Sequence, residues 1–129
     1  MKRLFLAIAA CLIALPATGE VLTKSPVIKE MRQMCTRETK ALGIPKARSY
    51  CACVSKAAVK WVDGAENDKE LQIRLWSLKN DMLPEETPDE ELYRRTSEAG
   101  IDREEMTAAL FLNFYEIDAF YTSCAPELS

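Results

Sequence analysis

The chain has 129 residues, 48% of them hydrophobic and 29% charged, with a formal net charge of −3 and no histidine. Once an N-terminal targeting segment is set aside, that is the size of one domain. An acidic chain whose basic half lacks interleaved aromatics argues against a nucleic-acid binder, and the lack of histidine removes the usual general base, the usual zinc ligand and the triads built on it.

Met1-Lys2-Arg3 is a short cationic segment and Leu4 to Leu15 is almost unbroken apolar sequence. The run is too short for a stable membrane span and breaks at Pro16. Ala17-Thr18-Gly19 supplies small residues at the positions a signal peptidase reads. Residues 1–19 are therefore read as a signal peptide and 20–129 as a single helical domain, destined for the periplasm or the medium with no membrane anchor after cleavage. A lipoprotein reading of Ile8-Ala9-Ala10-Cys11 is disfavoured, because the apolar run continues past Cys11 through Leu15.

The punctuation of the remaining chain is helical. Ser25-Pro26 opens a first segment that Gly43 closes, with Val27, Met31, Met34, Cys35 and Leu42 on one face. Pro45 opens a second, ended by Gly64, whose stripe is Tyr50, Val54, Ala57 and Trp61. Asn67 with Glu70 caps a third, carrying Leu71, Leu75, Leu78 and Met82 until Pro84 stops it. Thr87-Pro88-Asp89-Glu90 reads as the capping box of a short fourth helix running to Gly100, and Asp102 with Glu105 caps a fifth. No segment alternates as a strand would, so the expectation is an all-α fold, a small bundle of about five helices.

The fifth segment is the most apolar of the mature chain. Met106, Leu110, Phe114, Ile117, Tyr121 and Cys124 form a stripe that Phe111, Tyr115 and Phe120 widen. This predicts a central helix buried on most sides. The competing reading is an exposed aromatic surface for a partner or a second copy.

Charge is uneven. Residues 20–60 hold nine Lys/Arg against three acids, and residues 61–129 hold six against seventeen. The simpler reading is that the halves attract within one domain; the sharper one is that a basic and an acidic surface survive folding and steer partners.

Cys35, Cys51, Cys53 and Cys124 remain after the signal. In an oxidising compartment an even number reads as a disulfide framework, two bridges here. Cys51 and Cys53 diverge by about 200° on a helix, so they cannot bond each other without unwinding it. Two pairings remain: Cys35 to Cys51 with Cys53 to Cys124, and Cys35 to Cys53 with Cys51 to Cys124. Either pins the second helix between the first and the C-terminus.

Functionally, no catalytic residue, metal site or cofactor is assigned, and no enzyme is expected. The leading expectation is a periplasmic binding protein, like an inhibitor, immunity protein or chaperone in size and compartment, presenting a stapled helical surface to a protein partner; a homodimer is compatible with it. Two candidate surfaces are the polar edge of the fifth helix, Asn113, Glu116 and Phe120, and the acidic segment with Glu85, Glu86, Glu90 and Glu91, where no basic residue occurs from Asp81 to Glu91. The alternative is a thiol redox or copper(I) protein built on Cys51-Ala52-Cys53, with Met31, Met34 and Cys35 at helical spacing as soft ligands.

Overall fold

The computed structural model describes residues 20–129; the predicted signal peptide lies outside the described residues. Five helices follow in chain order: α1 (Lys24–Ala41), α2 (Ala47–Asp63), α3 (Asp68–Met82), α4 (Asp89–Glu98) and α5 (Arg103–Cys124), with a 3₁₀ turn at Ala125–Leu128. The all-α bundle is the one expected. Among the described residues no helix is long and apolar enough to cross a membrane.

Glycine and the caps set the helix ends. Gly43 takes φ +78° and Gly100 φ +88°, the left-handed conformation that stops a helix at little cost only for glycine. At both, the residue beyond bonds back five residues, Ile44 N–H to Thr39 O at 3.4 Å and Ile101 N–H to Thr96 O at 2.8 Å. Asn67 Oδ1 accepts from Glu70 N–H at 2.8 Å, and Glu105 reaches back to Asp102 N–H at 3.2 Å in a capping box. Two starts differ from expectation. Thr23 rather than Ser25 precedes α1, and Pro88 rather than Thr87 precedes α4, with no side-chain cap at either. Glu90 is drawn away from the expected α4 box by Arg103, 2.9 Å distant.

The core gathers Val27 and Met31 from α1, Val54, Ala58 and Val62 from α2, Leu75, Trp76 and Leu78 from α3, and Met106, Ile117 and Phe120 from α5. Each large aliphatic removed from water there contributes about 2 kcal/mol. The central helix is α3, not α5. Leu75, Trp76, Ser77 and Leu78 are consecutive and all buried, which requires neighbours around the whole circumference. α5 buries only Met106, Ile117, Phe120 and Cys124 over 22 residues. Its expected stripe is split: Phe120 turns inward onto Trp61, with ring centroids 5.6 Å apart, while Phe114 turns out. α2, α3, α4 and the C-terminal turn pack against α5, and Phe111, Leu112, Phe114 and Tyr115 remain exposed on it. On α2 the buried face is Cys51, Val54, Ser55, Ala58 and Val62, turned from the expected stripe toward Cys51, which is bonded into the interior.

Of the two pairings open to the sequence, the fold selects Cys35–Cys51 and Cys53–Cys124, each with Cα atoms 5.8 Å apart. The first joins α1 to α2 across 16 residues of sequence, the second joins α2 to the end of α5 across 71. The N-terminal strap is fixed separately: Leu22 N–H donates to Gln72 Oε1 at 2.9 Å, and Gln72 Nε2 donates to Leu22 O at 2.7 Å.

Candidate functional site

Three clefts converge on Asp81, near the C-terminal end of α3. The first, about 320 Å³, lies between α1, α3 and the C-terminal turn and is walled by Met31, Met34, Leu78, Met82, Tyr50 and Tyr121, with Glu38 and Thr39 among its polar groups. The second, about 300 Å³, runs between α3 and α5 past Ser77, Leu110, Phe114, Ile117 and Asp118. The third, about 260 Å³, opens beneath the α3–α4 loop toward Glu85 and Asp89. Glu38, Asp81, Glu85, Asp89 and Asp118 thus line three neighbouring clefts that form an acidic groove around Asp81, and no Lys or Arg lines any of the three.

Helical spacing explains the assembly. On α1, Met31, Met34, Cys35 and Glu38 recur at three- and four-residue steps and face the groove together. On α5, Phe114, Ile117 and Tyr121 do the same. More than a third of Asp81's surface stays open to water where the clefts meet. Protein packed around its carboxylate, with Glu38 nearby, nevertheless holds its pKa above the ordinary aspartate value. Tyr121 is pushed up to about 12 by burial first, then by the charges of Asp81 and Glu38.

Phe114 links this groove to an open aromatic face. Phe111, Leu112, Phe114 and Tyr115 are 62–70% exposed on α5, and Tyr115 meets Phe111 and Phe114 edge-on at 6.2 and 5.6 Å. At ordinary side-chain areas these four present on the order of 450 Å² of surface, within the range of the largest, often functional, patches on soluble proteins. No Lys or Arg follows Arg103 in the sequence, so α5 itself brings no cation to this face.

The residues singled out from sequence divide between roles. Asn113 donates from Nδ2 to Ser77 Oγ at 3.0 Å and clamps α5 to α3. Glu116 is exposed beside Tyr115 in sequence, and Phe120 is buried, so it offers no surface to a partner. Glu85 and Glu86 are exposed, and Glu85 lines the groove. Glu90 is paired with Arg103, and Glu91 is held by Arg94 and Arg95 at 2.7 and 2.9 Å, which lowers its pKa to about 2. Asp81, Glu38, Tyr50 and Tyr121 were not among the candidates. Asp81 was visible in sequence as the start of an acidic run, but its convergence with Glu38 depends on how α1 crosses α3.

All four described cysteines are bonded in pairs, with Cys51 and Cys124 buried. As bonded they offer no thiolate to a redox centre or a copper ligand set. Met31 and Met34 line the first cleft, with Met31 buried in the core.

The opposite side of α1 is basic. Arg32, Gln33, Thr36, Arg37, Lys40 and Arg48 surround a shallow groove, and none of its four cations enters an ion pair among the described residues. The charge asymmetry of the sequence therefore becomes an asymmetry of surface, with α1 as the divide. The chain matches no family model, no curated protein and no solved structure.

Proposed function

We propose that this is an exported protein of the periplasm or medium that binds a protein partner through the open face of α5 and the acidic groove beside it. The observation that carries the proposal is the run of exposed Phe111, Leu112, Phe114 and Tyr115 on one helix. Aromatic side chains supply much of the binding energy in protein interfaces and lose little conformational freedom on binding. The adjoining carboxylates favour a cationic partner and speed its encounter. The disulfides support export, since they persist in oxidising compartments.

Co-purification from envelope extract, with the protein cross-linked to its neighbours in place, identifies the partner. Phe111→Ala combined with Phe114→Ala and Tyr115→Ala is expected to weaken that complex at least tenfold while the circular dichroism spectrum stays unchanged, because the three side chains are exposed. Undiminished capture would remove the α5 face from the interface. Sedimentation of the purified protein tests the homodimer. N-terminal sequencing of the exported protein should begin at Glu20.

A further inference from the structure

We propose that the first cleft is a receptor for the long basic side chain of the partner, a lysine or arginine inserted between Glu38 and Asp81. This rests on the protein-binding reading above and specifies the chemistry of the partner.

The argument starts from the polar atoms that line the cleft: the carboxylates of Glu38 and Asp81 and the hydroxyls of Thr39, Tyr50 and Tyr121. Among the described residues, neither carboxylate and neither tyrosine hydroxyl has a side-chain hydrogen bond or an ion pair. Lys79, two residues from Asp81 on the same helix, is engaged elsewhere, with Glu30 at 2.9 Å.

Thr39 adds a further acceptor to the same wall. It is 7% exposed, and its hydroxyl is near only the sulfurs of Cys35 and Cys51, at 4.0 and 3.7 Å. Those sulfurs form a disulfide and carry no proton, so nothing donates to the Thr39 oxygen. The hydroxyl can donate only toward those sulfurs, so its lone pairs add an acceptor to a cleft wall that already holds two carboxylates, a set suited to an N–H-rich cation.

The walls define the rest of the group. Met31, Met34, Leu78 and Met82 suit a methylene stem, and thioethers adapt to its shape. Tyr50 and Tyr121, their rings 6.4 Å apart and tilted by 49°, add aromatic wall to the cleft, the kind of surface that attracts a cation. A free volume of about 320 Å³ accommodates a lysine or arginine side chain. A compact inorganic cation would leave the apolar walls unused. Because Asp81 and Tyr121 also line the cleft leading to Phe114, a partner seated on the α5 face is positioned to place such a side chain here.

Probes of the side chain test this on the full mature protein: n-butylammonium for lysine, n-propylguanidinium for arginine, and 1-butanol as the uncharged counterpart. Methyl resonances of Met31, Met34, Met82 and Thr39 report occupancy. We expect at least one cation to bind in the millimolar range, about tenfold more tightly than 1-butanol, and Glu38→Gln with Asp81→Asn to abolish that preference. Equal affinity for the alcohol, or no cation-dependent shift of these methyls, would overturn the proposal, and the comparison on the native protein decides even if the double variant fails to fold. With the partner in hand, a complex weakened by Phe114→Ala but indifferent to Glu38→Gln/Asp81→Asn would refute side-chain insertion alone and leave the α5 interface standing.

Discussion

Asp81 carries the clearest residue-scale consequence. Its carboxyl is held above the ordinary aspartate value of 3.8, chiefly by desolvation and then by Glu38, so the folded protein binds that proton more tightly than the unfolded chain does. Folding is thus opposed by ionised Asp81 at neutral pH and relieved of that opposition as pH falls through the carboxylate range. Asp81→Asn is accordingly expected to raise the Tm at pH 7 by no more than a few degrees, since the group keeps solvent contact, and the gain should vanish below about pH 4. A lowered Tm at pH 7 would mean that the charge is compensated. Glu91 has the opposite sign. Its pKa, lowered from 4.5 to about 2 by hydrogen bonds first from Arg94 and then from Arg95, makes its contribution complete above pH 4.5 and lost as pH falls toward 2. Thermal melts over that interval should show a steeper decline for the native chain than for Glu91→Gln, and 1 M salt should narrow the difference because the pairs are surface pairs.

At the scale of elements, α5 buries only four of its 22 residues, so the local signals that hold its start carry weight. Its first turn is fixed by Asp102 and Glu105, and Lys69 ties Glu105 to α3 at 2.7 Å. Asp102→Ala is expected to cost about 1 kcal/mol, measured by urea unfolding with an unchanged slope. The sequence was most legible at this scale. Gly43, Gly64, Gly100, Asn67 and Asp102 marked helix ends because their effects are local, set by a backbone angle or a side chain three residues away. What periodicity could not reveal was the partnering of α5. An apolar helix reads the same whether its second face meets a neighbour or solvent, and Phe114 and Phe120 exchange inside and outside according to where α2 and α3 lie. The acidic segment was legible as composition only. Which carboxylates stay unpaired depended on Arg94, Arg95 and Arg103, and these leave Glu85 free of an ion pair but neutralise Glu90 and Glu91.

Over the whole molecule, the two crosslinks differ in reach. In the chain-entropy treatment the 71-residue bridge from Cys53 to Cys124 stabilises by about 4 kcal/mol and the 16-residue bridge from Cys35 to Cys51 by about 3. Replacing Cys53 and Cys124 together by serine should therefore lower the Tm more than replacing Cys35 and Cys51, the difference of about 1 kcal/mol corresponding to roughly 4–8 °C. Equal losses in paired calorimetric scans would indicate that the longer loop is already restricted in the unfolded chain.

The order of these pairs along the chain has a consequence for biogenesis. Cys35 bonds the next cysteine to follow it, Cys51, and Cys53 bonds the next after itself, Cys124. If the chain is exported N-terminus first, as proposed, it can be oxidised in order of appearance, each thiol taking the first partner to reach it. No native bond has to be opened and rejoined along the way. On the proposed export route this order calls for an oxidant and no reshuffling, whereas the pairing of Cys35 with Cys53 would oblige Cys51 to wait, unpaired and reactive, for a residue 73 positions downstream.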